Sequence, residues 1–460
     1  MPSDSDSSRD ASSNVSSSDA PGANGAPSAS AAAREFGFET RMLHAGHVPD
    51  AETGSRAVPI YQTTSYVFDD TDYAAQLFEL KQYGNIYTRI NNPTTAVFEE
   101  RMAALANGVG AVATASGMSA ELVAMMTMLE PGDEVVASSH LYGGTRTLFT
   151  HTFDKLSVEA HFVEPNDHEA WDAAITDDTK ALYAESVGNP QGSVLDFEPL
   201  VELADHHGLP LVVDNTFCTP YLCRPVDWGV PVVVQSATKF LGGHGNSIGG
   251  VIVDGGSFDF NTIDTVAEPS ESYHGLEFPN TFGHQGYLMK ARAETLRDTG
   301  ASLSPFNAFM LIQGLETLSV RMERHVSNAQ AVAEHLDEHP MVGNVAYPGL
   351  PDNPYHDLAQ KYMPKGPGAI FTFELSPDGP DPRAAGETFI ENLQLFSHLA
   401  NVGDARSLVL HPASTTHQQL SEEEMRSSGI TPGMIRLSIG LEDTDDLLWD
   451  LDQALHAISQ

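Results

Sequence analysis

The chain has 460 residues, with 63 Asp and Glu against 23 Lys and Arg, a formal net charge of −40. A surface that acidic repels nucleic acid and anionic membrane and excludes both as partners. No stretch of about 18 apolar residues is available to span a bilayer, and the amino terminus lacks the basic start and apolar core of a secretory signal. The only cysteines, Cys218 and Cys223, lie in one segment and make neither a disulfide framework nor a zinc site, and the adjacent His206 and His207 point apart, so no metal is expected. A reducing cytoplasm is the consistent location. The excess of carboxylates suits solubility in concentrated salt, where the Debye length falls to about 3 Å.

In chain order, residues 1–33 are rich in Ser, Ala, Asp and Gly without apolar periodicity, the composition of a disordered acidic tail. Residues 34–90 read as an N-terminal extended arm. In it, Val58–Phe68 is β-branched and aromatic, and Tyr83–Pro93 forms a loop. Tyr87 and Arg89 stand two apart there, able to present a hydroxyl and a guanidinium to one anion. A solvated loop arginine is the competing reading. A helix is predicted from Thr94, with Val97, Met102 and Leu105 inward.

Strand and helix then alternate to about residue 255. Strands are predicted at Ala111–Thr114, Glu134–Ala137, Ala181–Ala184, Leu211–Val213, Pro231–Val234 and Gly250–Val253. Helices are predicted at Ser119–Leu129, Thr145–Phe153, His168–Ile175 and Phe197–His206. The alternation implies an α/β fold with a mostly parallel sheet covered on both faces, and such sheets bind ligands at their strand ends. Length suggests two or three domains, with a large domain at 91–310 and a smaller C-terminal α/β domain at 311–460. Helical periodicity runs from Gly283 to His335 with a break at Gly300–Pro305. Extended runs follow at Asn344–Tyr347, Ala369–Glu374 and Met434–Ile439.

Polar residues collect after these strands. Ser116-Gly117-Met118 opens a helix whose free amides could cradle a phosphate, although an ordinary N-cap has the same sequence. Tyr142 could stack on a flat ring or fill a core. Asn189 could hydrogen-bond a ring oxygen. Asp214 ends an apolar strand, and a buried carboxylate needs a cation or several donors. The apolar strand ending at Val234 leads into Ser236, Thr238 and Lys239, an amine beside two hydroxyls that suits a phosphorylated aldehyde held as a Schiff base. Arg436 inside an apolar strand calls for an anion, and its planar fork fits a carboxylate. The glycines at 242–250 do not make a dinucleotide-binding turn.

Taken together, Tyr87-Thr88-Arg89, Ser116-Gly117-Met118, Asp214, Ser236-Ala237-Thr238-Lys239-Phe240 and Ile435–Asp443 resemble the Cys/Met-metabolism (transsulfuration) family of pyridoxal-phosphate enzymes over residues 35–460. The resemblance implies the aspartate-aminotransferase-like fold, known as fold type I. It implies that Lys239 binds the cofactor and shuttles protons, that Asp214 keeps the ring nitrogen protonated, that Tyr142 stacks on the ring and that Asn189 faces its phenolic oxygen. Gly117, Met118, Ser236 and Thr238 would hold the phosphate, with Tyr87 and Arg89 reaching in from a neighbouring subunit of a homotetramer built of active dimers. Arg436 would bind the substrate carboxylate, assisted by Ser407.

Within the family the chain most resembles the O-acetylhomoserine sulfhydrylase branch, on Gly243–Ser247, Glu271–Phe278 and Asn401–Gln418. Gly144 stands where methionine γ-lyases usually carry cysteine. The implied reaction is γ-replacement of acetate by sulfide, giving homocysteine, or by methanethiol, giving methionine. Cystathionine γ-synthase, cystathionine γ-lyase and methionine γ-lyase stay open as alternatives, as does a non-catalytic cofactor-binding protein.

Overall fold

The computed structural model describes residues 34–188, 192–376, 381–415 and 430–458. The expected acidic tail, Asn189 and residues 416–418 lie outside them. The chain divides into two units, residues 1–37 and residues 38–460, and both sheets lie in the second.

The first sheet has seven strands: β1 (Gly110–Thr114), β2 (Glu134–Ser138), β3 (Glu159–Val163), β4 (Thr179–Glu185), β5 (Leu211–Asp214), β6 (Val232–Ser236) and β7 (Gly250–Asp254), in the order β1-β7-β6-β5-β4-β2-β3. Only β7 pairs antiparallel, with β1 and with β6; the other pairs are parallel. The central strands Leu-Val-Val and Val-Val-Val are buried and β-branched, as a sheet covered on both faces requires. All six predicted strands of this sheet are present. The seventh, β3, was not predicted: it is an edge strand whose residues, Glu-Ala-His-Phe-Val, are only half-buried, so it lacks the apolar run that marks its neighbours.

Helix Pro93–Ala106 shows local chemistry agreeing with packing. Asn92 caps it by accepting from the Thr94 amide at 2.9 Å, Pro93 opens it, and it ends at Asn107 in the left-handed conformation. Val97, Met102 and Leu105 are buried, as predicted; each apolar side chain removed from water contributes roughly 1.5–3 kcal/mol. The predicted helix Thr145–Phe153 is instead an α-turn, Gly143–Thr147, that widens into a π-helical turn, Leu148–Phe153. Val58–Phe68 is extended but forms no named strand; Ser65 makes an isolated bridge to Tyr87. Val67 and Tyr83 of this arm are 97% and 80% exposed.

The second sheet has five strands, β8 (Val342–Ala346), β9 (Ile370–Leu375), β10 (Ser397–His398), β11 (Leu408–Leu410) and β12 (Met434–Ser438), in the order β10-β11-β12-β9-β8. The short β10 and β11 carried no sequence signal of their own. The expected domain boundary at 310/311 falls inside the helix Pro305–Leu315.

At the end of β7, remote in sequence from the polar strand ends, Asp254 is fully buried. Its Oδ1 accepts from the Gly256 amide at 2.7 Å and its Oδ2 has no partner among the described residues. Burial pushes this carboxyl up to about 7. The folded state therefore holds a proton that the unfolded chain releases near pH 4. The stabilisation is complete below that pH and is lost as pH rises through about 7. Asp254→Asn removes the titration. Thermal melts should show the variant gaining on the native protein between pH 4 and 8, by up to about 1.4 kcal/mol per pH unit. A constant difference across that range would contradict the assignment.

Candidate active site

A cavity of about 230 Å³ lies where the expected strand ends converge. β4, β5 and β6 bring Glu185, Asp214 and Ser236 to it, and the helix Gly117–Met126 points its first residues at it. Gly117, Met118, Tyr142, Asp214, Ser236, Thr238, Lys239 and Arg436 all line it. Eight of the residues singled out in the sequence are thus brought together.

The helix begins with Ser116 as N-cap, its hydroxyl accepting from the Ser119 amide at 3.1 Å. Gly117 is needed for space: a Cβ there would lie 2.6 Å from Cβ and 3.0 Å from Oγ of Ser236. The close approach brings the positive end of the helix dipole against the Ser236 and Thr238 hydroxyls, a donor set for a phosphate. Thr238 Oγ1 donates to the Gly249 carbonyl and accepts from the Gly249 amide, which pins the turn after β6.

Lys239 Nζ donates to Asn401 Oδ1 at 2.6 Å. Burial, helped by the nearby Arg436 cation, lowers its pKa to about 8. The amine therefore reaches its nucleophilic form closer to neutrality than an ordinary lysine. Residues 400–402 also line the cavity, and the segment presses hard on the lysine. A Cβ at Gly403, whose φ is +76°, would lie 3.0 Å from Lys239 Cβ.

Two carboxyls stand side by side, since Glu185 and Asp214 are register partners on β4 and β5. Burial raises Asp214 to about 6, against the pull of the Thr216 amide, which donates to it at 2.7 Å, and of the Lys239 cation. Glu185 is pushed well above the carboxylate range by burial and by Asp214; its oxygen accepts from the Tyr142 amide at 2.5 Å. Tyr142 is half-exposed and leans over Gly144, where a Cβ would lie 2.4 Å from its ring. Arg436 sits in β12 between Leu410 and Thr372, and burial lowers its pKa. Among the described residues no carboxylate pairs with it.

Three expected residues are placed elsewhere. Ser407 does not line the cavity. It is fully buried, its hydroxyl donates to Glu442 at 2.9 Å and accepts from the Gly440 amide at 2.8 Å, and its amide also donates to Glu442. Those bonds occupy it as a bracket between two loops; Asn401, six residues earlier, faces the cavity. Tyr87 and Arg89 do not line the cavity of their own chain either. Arg89 donates to the Arg297 carbonyl and lies 5.6 Å from the centroid of the Tyr87 ring. Sequence reasoning missed Asn401, Glu121, Glu185 and Thr216. Only Glu185, an acid ending a predicted strand, carried a signal like that of Asp214. Outside the cavity, Glu134, Glu159 and His161 form one trio of metal-ligand type, in which His161 already pairs with Glu134 at 3.3 Å.

Residues 39–456 match the family model described as Cys/Met metabolism PLP-dependent enzyme. The chain is 52% identical to the O-acetyl-L-homoserine sulfhydrylase of Leptospira meyeri, covering 94% of this chain and 99% of that protein. It is 48% identical to O-acetyl-L-homoserine sulfhydrylase 1 of Thermus thermophilus, covering 91% and 99%. Among solved structures, a putative O-acetylhomoserine (thiol)-lyase from Campylobacter jejuni, holding N'-pyridoxyl-lysine-5'-monophosphate, is similar with a TM-score of 0.88 and 40% identity over 92% of this chain and all of that one. Cystathionine gamma-lyase from Lactobacillus plantarum in complex with L-serine follows at 0.78 and 33%, with the same coverage.

Proposed function

The chain belongs to the Cys/Met-metabolism family of pyridoxal-phosphate enzymes, and from that premise we propose that it catalyses γ-replacement on O-acetyl-L-homoserine. The Cγ–O bond to acetate breaks and a Cγ–S bond to sulfide forms, giving homocysteine, or methionine when methanethiol is the thiol. The observation that carries the reading is a partly buried arginine with which no carboxylate pairs among the described residues, facing the same cavity as a lysine of lowered pKa and a donor set for a phosphate. Identities of 44–52% to O-acetylhomoserine sulfhydrylases support the substrate.

The residues fit the cofactor. Gly117, Met118, Ser236 and Thr238 would hold its phosphate, Asp214 its ring nitrogen, Lys239 its aldehyde carbon, and Tyr142 would cover its face. Asn189 is proposed for the phenolic oxygen. When bound, the ring supplies an electron sink for bonds to the amino acid's Cα. Arg436 binds the substrate carboxylate through its fork and so fixes the Cα–H bond relative to Lys239. Lys239 takes that proton and later returns one, a role its pKa of about 8 suits. Asn401 holds the amine in place by its 2.6 Å bond. Asp214, anionic above about pH 6, keeps a proton on the nitrogen that faces it.

Tyr87 and Arg89 lie on the arm that carries the exposed Val67 and Tyr83. That apolar exposure supports a dimer in which they complete the partner's phosphate site, with a homotetramer as the full assembly. The charge of −40 supports work in concentrated salt within the cytoplasm.

The test is a product assay in high potassium chloride, with O-acetylhomoserine offered alone and with sulfide, methanethiol or cysteine. Acetate release that depends on sulfide, with homocysteine appearing, is expected. Cystathionine formed from cysteine, or ammonia and a keto acid without thiol, would move the chain to a synthase or lyase activity. Separately, Arg436→Ala removes charged hydrogen bonds of about 1.5–3 kcal/mol. KM for O-acetylhomoserine should rise roughly 10–100-fold while the visible band of the bound cofactor persists. An unchanged KM would remove Arg436 from the substrate site.

A further inference from the structure

Beside Asp214 and its strand neighbour Glu185 the cavity is lined by a third acid to which the reaction above gives no work. Glu121 lies in the second turn of the helix Gly117–Met126 and is 3% exposed. Its Oε1 accepts from Thr145 Oγ1 at 3.1 Å, whereas its Oε2 is buried without a partner among the described residues, as is the Tyr183 hydroxyl. The groups facing this carboxyl are Asp214 on β5, Glu185 and Tyr183 on β4, and Thr145 on the neighbouring turn. Among the described residues the cations lining the same cavity are Lys239 and Arg436.

Carboxyls that share a desolvated space cannot all ionise; they hold charge and protons jointly. Asp214 is the member best equipped to be the anion. It receives a backbone N–H at 2.7 Å and the pull of the Lys239 cation, whereas Glu185 receives a backbone N–H from Tyr142 without that cation. Glu121 has only a hydroxyl donor, and burial followed by the Asp214 charge pushes its pKa well up.

We propose that Asp214 and Glu121 work as an acid pair, holding one negative charge and one proton between them beside the ring nitrogen. Glu121 is then a positioning residue that acts through Asp214. In a chain where Asp214 cannot carry the charge, Glu121 would stand in as the anion, its proton going to the ring nitrogen that Asp214 otherwise keeps protonated. The inference rests on the reading of Asp214 as the partner of the ring nitrogen.

A double-mutant cycle tests it on the full chain, with pyridoxal-phosphate affinity and the visible band as readouts: native, E121Q, D214N and D214N/E121Q. Substitution of Glu121 should cost at least about tenfold more affinity in the D214N background than in the native one. An equal factor in both backgrounds would overturn the pair. If D214N leaves both affinity and band unaltered, the reading of Asp214 falls, and the pair with it. A second measurement does not depend on the cofactor or on how well D214N folds. A carboxyl neutral in the folded chain ionises on unfolding at pH 7, so E121Q should release about one proton fewer than the native protein on unfolding. Equal release would mean that Glu121 is already an anion, which contradicts the proposal.

Discussion

The structure turns on opposite charges held out of water at the ends of two neighbouring strands. Asp214 ends β5, Lys239 follows β6, and the two strands pair in parallel with Asp214 beside Val234. In a desolvated cavity each group alters the other: Lys239 draws Asp214 toward its anion, and burial draws the lysine toward its neutral amine. An amine near neutrality and an acid still able to ionise are what a pyridine aldehyde needs at its two ends. The apolar strands that place them are buried on both faces, so neither residue can shift without disturbing the sheet.

The second sheet contributes the remaining polarity. β12 delivers Arg436, and the segment before β11 delivers Asn401 directly onto Lys239. Gly403 lets that segment approach closely enough for the contact, and Ser407 with Glu442 braces it from behind. On the proposed reading, recognition of the amino-acid carboxylate comes from one sheet and the cofactor-holding residues from the other.

Much of this was legible in the sequence because burial leaves a compositional trace. Continuous apolar runs marked β1, β2, β4, β5, β6 and β7, and the polar residues that follow the runs of β1, β5 and β6 marked the site. Elements whose stability comes from neighbours left no such trace. β3 is a half-buried edge, β10 has two residues, and the turn Gly143–Thr147 continues as a π-helical turn under packing from the sheet. Glu121 was hidden because an acid inside a helix ordinarily faces solvent. Ser407 was expected at the site and Asn401 was not, although both lie in one motif; only the fold shows that Asn401 faces the cavity. Tyr87 and Arg89 were expected to act on a neighbouring subunit, which a single chain leaves as a proposal.

The central claim is that Lys239, among the lysines of this chain, carries the cofactor. Reducing the pyridoxal-phosphate-loaded protein with borohydride and mapping the peptides by mass spectrometry tests it directly. The account predicts a single pyridoxyl-phosphate adduct, on the peptide containing Lys239. An adduct on another lysine, or scattered labelling with none at Lys239, would contradict it.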